Sequence, residues 1–216
     1  MATARKLRII LIGARPNGHG GVVLDVIREH RLHTVVGFLD DMASSKSVLG
    51  VPVLGKIEQF LQKPTVKADA YFICSGDNAF RERVYRLLKG KGLKLANVIH
   101  PTAVISKSAQ MGEGNFIGPN VVVTHHVRVG NAVLVNTSAT LDHDNVIEDF
   151  VNISPGSHLS GRVVIKQGAF LGTGAAIIPD VTVHDYAVVG AGAVVIRDVA
   201  PRTAVVGVPA RIVSKK

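Results

Sequence analysis

The sequence predicts two units in series: a small parallel α/β sheet over residues 1–97 and a parallel β-helix over residues 98–216. Three observations carry this. Every sixth residue from Ile99 to Val195 is an aliphatic or a methionine, and the register has no insertion. The first half alternates short apolar runs with stretches of helical spacing. Of the 216 residues, 47% are hydrophobic while Trp is absent and aromatics are 5%, so both cores are aliphatic.

In the first half, Leu7–Gly13 is a continuous apolar run suited to a buried parallel strand. The glycine-rich turn Gly13–Gly21 follows, and Val22–Glu29 carries Val22, Val23, Val26 and Ile27 at helical spacing. Thr34–Asp40 reads as a second strand ending on acids, and Ala70–Ser75 as a third. Ala79–Lys91 reads as a helix with Val84, Leu87 and Leu88 on one face. Leu95–Ile99 is a last strand leading into the repeat. Such alternation builds a doubly wound, Rossmann-like sheet.

In the second half, a further series lies four residues after each member of the first. It is Ala or Val at fourteen of its seventeen positions, the exceptions being Asn115, Asn145 and Ser157. The two series together fill the inside of the β-helix. Known helices of this type use three hexads, or eighteen residues, per coil. Its end coils expose strand edges, and Pro201–Lys216 is expected to finish one end. With no long loop in the register, any site must be built from the faces of the coils.

The formal charge is +9 and is uneven. Residues 1–97 hold 16 Lys and Arg against 8 Asp and Glu, whereas residues 98–216 hold 9 against 8. A basic first unit favours anionic partners such as nucleotides. Nucleic acid is not expected, since no recognition motif appears and the cations are not interleaved with aromatics. The single cysteine, Cys74, cannot form an internal disulfide. The apolar run Ile9–Ile12 is too short for a signal peptide, and no stretch is long enough to span a bilayer. These features predict a soluble cytoplasmic protein.

His125 and His143 each lie two residues after a core aliphatic and differ by eighteen, so they should stack on one face. His143 sits in Leu-Asp-His-Asp-Asn. A carboxylate beside an imidazole fixes its tautomer and raises its basicity, as a general base requires. The competing reading is an exposed histidine among solvated acids. Zinc hydrolases resembling the gamma class of carbonic anhydrases also use this scaffold. His125 and His126 are adjacent, however, and on a strand would point to opposite faces, so no metal is expected. The turn Gly13–Gly21 suits a phosphate at a helix N-terminus, and Asp40 and Asp41 stand where acids take ribose or base hydroxyls. The competing reading there is a structural turn without ligand. Ser154, Ser157 and Ser160 near His158 read as turn residues, and Cys74 as core.

Several segments together carry a resemblance. They are Gly-His-Gly at 18–20, Phe-Leu-Asp-Asp at 38–41, Cys-Ser-Gly-Asp-Asn at 74–78 and Ile-His-Pro at 99–101. Asn-Thr-Ser at 136–138, the acid-flanked His143, Leu-Ser-Gly at 159–161, Phe-Leu-Gly at 170–172 and Gly-Val-Pro-Ala at 207–210 complete the set. On these the chain resembles the bacterial nucleotide-sugar N-acetyltransferases, a hexapeptide-repeat family. It includes the UDP-4-amino-sugar and GDP-perosamine N-acetyltransferases, with the sialic acid O-acetyltransferases beside them.

The resemblance implies a left-handed β-helix, a homotrimer with active sites between neighbouring copies, acetyl-CoA as co-substrate and no metal. It implies that His143 deprotonates the amine of a UDP- or GDP-linked 4-amino-4,6-dideoxy sugar destined for O-antigen or another surface glycan. Asp144 stands where the family has an acid that raises this basicity. It is shorter than the usual Glu, which predicts a looser contact. Asp142 and Asn136 match positions that place the sugar, and the Gly161 N–H matches the oxyanion donor. Asn152, Thr173 and Ala191 match acetyl-CoA contacts and are expected to climb one face. Asn17, Gly18, His19, Asp40, Asp41 and Gly76 match the nucleotide-sugar pocket. Two extra residues in the Arg15-Pro16-Asn17 stretch make Arg15 an added phosphate partner. Sugar O-acetylation and a non-catalytic, nucleotide-binding trimeric scaffold remain as alternatives.

Overall fold

The computed structural model describes residues 6–15 and 18–213. The chain divides into two compact units between Val98 and Ile99.

The first unit runs β1 (Arg8–Ile12), α1 (His19–Glu29), β2 (Thr34–Leu39), β3 (Ser47–Val48), β4 (Val51–Gly55), α2 (Ile57–Gln62), β5 (Ala70–Ile73) and α3 (Asn78–Gly90). The sheet order is β3-β4-β2-β1-β5. β1 pairs in parallel with both β2 and β5, and β2 with β4. Ile9–Ile12 of β1 are wholly buried, as a strand covered on both faces requires. The expected strand over residues 95–99 is reduced. Leu95 makes an isolated parallel bridge with Tyr71, and only Val98–Ile99 is a strand. The hairpin β3–β4 and the short α2 were not expected from the sequence. Gly50, Pro52 and Gly55 interrupt that stretch, and proline inside an apolar run reads against a strand. Here Pro52 faces the two-residue edge strand β3, opposite Ser47.

The glycines at the top of this sheet allow close backbone approach. A Cβ on Gly13 would lie 2.9 Å from the Cys74 carbonyl oxygen, and one on Gly20 would lie 2.7 Å from the Gly13 carbonyl oxygen. The end of β1, the start of α1 and the end of β5 therefore converge.

The second unit is a β-helix with three sheets of six, five and eight strands, parallel except for the last strand of the third. Its strands are mostly two residues long, and partners differ by eighteen: Val123 pairs with Leu141, and Leu141 with Leu159. From Ile117 to Val195 the sixfold series is buried. Two-residue corners join the sheets. The second corner residue takes a positive φ, as at His126 (57°), Asp144 (58°) and Arg162 (60°).

The three exceptions to the Ala/Val series are wholly buried. Each donates to a carbonyl just before a corner: Asn115 Nδ2 to Gly130 at 2.9 Å, Asn145 Nδ2 to Ser160 at 2.7 Å, and Ser157 Oγ to Gly172 at 3.0 Å. Ser157 is thus an interior residue rather than the turn residue expected. At the far end Ala204–Val206 joins Val188–Val189 in parallel, and Arg211–Ile212 folds back antiparallel on it. This is the finish expected of the tail.

Candidate active site

Two sites emerge, one in each unit. In the first, Gly18, His19, Asp40, Asp41 and Gly76 line one cavity of about 350 Å³ with Arg15. The fold brings these five sequence-predicted residues together at the carboxyl ends of β1, β2 and β5, where open α/β sheets bind ligands. Asn17 lies outside the described residues.

The cavity wall is built from backbone-committed carboxylates. Asp40 accepts from Ala14 N–H at 2.6 Å and Met42 N–H at 2.7 Å, and Asp41 accepts from Ile57 N–H at 2.9 Å. Asp77 caps α3 through Phe80 N–H at 3.1 Å. By contrast α1 begins at Gly18 with no side-chain cap and no acid in its first turn, which leaves its positive end facing the cavity. Among the described lining residues Arg15 is the one lysine or arginine.

Behind the wall Arg81 is wholly buried and donates to Ser75 O and Asn78 Oδ1, both at 2.9 Å. Burial pulls its pKa down to about 9. The His19 imidazole is brought down to about 4 by burial and then by the Arg81 charge, so it is neutral at pH 7. Neither Arg81 nor the effect of its charge on His19 was legible in the sequence. An arginine on a helix reads as surface.

The second site is a corner of the β-helix. His143 and Asp144 occupy it, with His125 and His126 one coil before and Gly161 and Arg162 one coil after. Backbone bonds fix the stack: Asp144 N–H to His125 O and Arg162 N–H to His143 O, each 2.9 Å. The imidazole Nδ1 lies 2.9 Å from Asp144 Oδ2. The Asp144 carboxyl is held below the usual range first by this hydrogen bond, and also by the charges of His143, His126 and His125. An ionised carboxylate only accepts, so Nδ1 donates to it, and in the neutral imidazole Nε2 is then the acceptor. Nε2 faces Gly161, where an added Cβ would collide with the ring. Neither Nε2 nor the Gly161 N–H has a partner among the described residues. Asp142 Oδ1 accepts the His143 N–H at 2.7 Å and fixes the corner backbone.

Several expectations need correction. The contact of Asp144 with His143 is not loose. The positive φ at residue 144 turns the short carboxylate onto the ring, in a region Asp tolerates. His125 and His126 do not point to opposite faces. They form a corner rather than a strand, and their ring centroids are 3.5 Å apart. Among the described residues no group of three His, Cys, Asp or Glu is placed to hold a metal.

Asn152, Thr173 and Ala191 do not climb one column. Asn152 is a buried strand residue paired with Leu134 and Phe170. Thr173 and Ala191 are exposed corner residues one coil apart, with Gly192 N–H donating to Thr173 O at 2.8 Å. Asn136 sits at the edge leading into that same corner and donates to Asn152 Oδ1 at 3.2 Å. It stands one strand away from the His143 corner. Sequence reasoning also missed a shallow groove beside Asp142, lined by Thr124, Thr140, His158 and Ser160. Their spacing near eighteen is the signal that would have found it.

Known proteins resemble the chain along its whole length. The family described as PglD N-terminal domain matches residues 8–88, and the bacterial transferase hexapeptide family matches residues 162–197. A histidine-to-asparagine mutant of perosamine N-acetyltransferase from Caulobacter crescentus, in complex with CoA and GDP-perosamine, is similar at 33% identity. It covers 98% of this chain and 100% of that one, with a TM-score of 0.89. The acetyltransferase domain of PglB from Neisseria gonorrhoeae in complex with acetyl coenzyme A is similar at 34%, covering 97% and 100%, with a TM-score of 0.89. WeeI from Acinetobacter baumannii is similar at 30%, covering 95% and 99%, with a TM-score of 0.85.

Proposed function

Because the chain belongs to the nucleotide-sugar N-acetyltransferase family of hexapeptide-repeat acyltransferases, we propose that it transfers the acetyl group of acetyl-CoA to the 4-amino group of a nucleotide-linked 4-amino-4,6-dideoxy sugar. The observation that carries this reading is the acid-paired His143, with its Nε2 open beside the Gly161 N–H. In the proposed reaction the sugar nitrogen attacks the thioester carbon while Nε2 takes its proton. Charge develops on the carbonyl oxygen, to which the Gly161 N–H donates. The tetrahedral intermediate collapses, the C–S bond breaks, and the CoA thiolate takes the proton back from the imidazolium. No acyl-enzyme is required. Asp144 holds the tautomer, and Asp142 and Asn136 place the sugar.

Gly18, His19, Asp40, Asp41 and Gly76, with Asn17, take the nucleotide-sugar. Arg15 and the open start of α1 offset the three carboxylates of that cavity where the phosphates enter. Asn152, Thr173 and Ala191 contact acetyl-CoA. A homotrimer is part of this reading, because Asn136, Thr173 and Ala191 lie along a corner other than that of His143. A neighbouring copy would bring the two kinds of corner together. The perosamine N-acetyltransferase is in complex with CoA and GDP-perosamine, which supports an amine acceptor over a hydroxyl. No helix among the described residues is long and apolar enough to cross a membrane. We place the enzyme in the cytoplasm, supplying a surface glycan such as O-antigen, with residues 1–97 for the nucleotide-sugar and 98–216 for acetyl transfer.

The test is thiol release from acetyl-CoA over a panel of UDP-, GDP- and dTDP-linked amino sugars and their hydroxyl analogues. Turnover is expected with an amino sugar, and His143→Asn is expected to lower kcat at least ~100-fold. Undiminished turnover removes His143 as the base, and preference for a hydroxyl analogue makes the enzyme an O-acetyltransferase.

A further inference from the structure

Asn145 breaks the apolar pattern directly behind the acyl-transfer corner. Its column inside the β-helix reads Ala109, Val127, Asn145, Val163, Val181. The residue is 0% exposed. Nδ2 donates to Ser160 O at 2.7 Å, while Oδ1 has no hydrogen-bond partner among the described residues. An unpaired buried amide oxygen is destabilising, and the valine carried by both column neighbours would avoid it. Asn115 is the natural comparison. It makes the same bond to Gly130 O, but its Oδ1 also accepts the Val133 N–H at 2.7 Å. Asn115 is satisfied at both ends, whereas Asn145 is satisfied only toward Ser160.

The one group that Asn145 grips is the carbonyl of the Ser160–Gly161 peptide. That C=O and the Gly161 N–H are opposite ends of one rigid plane. A donor on the oxygen fixes the tilt of the plane and polarises its N–H, since hydrogen bonds in a chain strengthen one another. In other turns, such as those after Lys166 and Gly190, the corresponding carbonyl accepts from an N–H of its own turn (Ala169 and Ala193), a bond that Ser160 O does not receive from Val163 N–H. We propose that Asn145 is a positioning residue for acetyl transfer, holding the Ser160–Gly161 peptide from inside the β-helix so that its N–H is aimed at the developing oxyanion beside His143. This rests on the acyl-transfer reading above. It adds a buried residue that touches neither substrate.

The test compares Asn145→Val, Asn145→Thr and Asn115→Val by steady-state kinetics and urea denaturation. Asn145→Val is expected to lower kcat ~10-fold with both KM values retained, and to leave stability unchanged or raised. Asn145→Thr restores a donor in the shape of valine and is expected to recover part of kcat. Asn115→Val is expected to lose stability while keeping kcat. Full kcat in Asn145→Val overturns the proposal, as does equal loss of kcat in the two valine variants. Should Asn145→Val not fold, wild-type kcat in Asn145→Ala, whose side chain has no donor for Ser160 O, overturns it as well. A wild-type protein without turnover on any amino sugar overturns the acyl-transfer reading itself.

Discussion

The ring of His143 occupies the space that a side chain on Gly161 would need. An added Cβ collides with its Nε2 and Cε1 atoms. These residues are eighteen apart, and Arg162 N–H to His143 O ties their coils together. A residue without a side chain is therefore required beneath the imidazole for a local reason, since the φ of Gly161 is not among the positive ones.

From this, Gly161→Ala should fold normally, with stability within about 1 kcal/mol of wild type, but should displace the half-exposed ring. We expect kcat to fall on the order of 100-fold, as for loss of a general base. Added to His143→Asn, the same change should cost much less, because the ring it displaces is no longer a base. Additive losses in this double-mutant cycle would show that the two positions act independently.

Asp144 supports a pH-dependent expectation. Its pKa is lowered in the folded state, so its ionised contribution is present above the ordinary carboxylate value near ~3.9 and is lost only as pH falls through the lower native value. A decline in wild-type activity between pH 7 and 5 therefore belongs to another group. Asp144→Asn offers an amide N–H to Nδ1 and favours the wrong tautomer, so it should lower kcat by ~100-fold or more. Asp144→Glu should restore most of it. A pH–rate profile whose acid limb disappears in Asp144→Asn would contradict this assignment.

His19 makes an opposite kind of prediction, on stability. Its folded pKa is about 4, against 6.5 in the unfolded chain. Between these values the unfolded state binds more protons, so stability falls as pH is lowered through that window, by about 3 kcal/mol in all. Urea denaturation from pH 4.5 to 7.5 should show this slope, and His19→Gln should flatten it. An unchanged slope in the variant would mean that His19 is already protonated when folded.

The sixfold rhythm made the β-helix and the stacking of His125, His143 and Gly161 legible, because each inner position repeats at fixed spacing. The glycine turn and the acids at Asp40 and Asp41 likewise marked the cavity of the first unit. The corners were less legible. Strand alternation does not hold where the chain turns with a positive φ, so His125 and His126 came out side by side and Asp144 came out close to the ring. Spacings near eighteen also mislead when they are not multiples of it. The 21 residues between Asn152 and Thr173 carry the second from a buried strand to an exposed corner. The bonds of Arg81 to Ser75 O and of Asn145 to Ser160 O were invisible in the sequence because these partners are backbone atoms.

The eighteen-residue pairing of strands runs unbroken to Val195, and the last coil closes at sixteen, with Val183 bridged to Val199 and Val189 paired with Val205. This sets how the protein can tolerate changes in length. Losing or gaining one strand residue between 99 and 195 would turn every later side chain out of its column. Removing a whole coil away from the His143 corner would leave each remaining side chain over the same kind of neighbour. Drift in the strands of this half is thus confined to steps of one full turn up to the closing coil, while the first unit, whose cavity is made by loops, is free to vary by single residues.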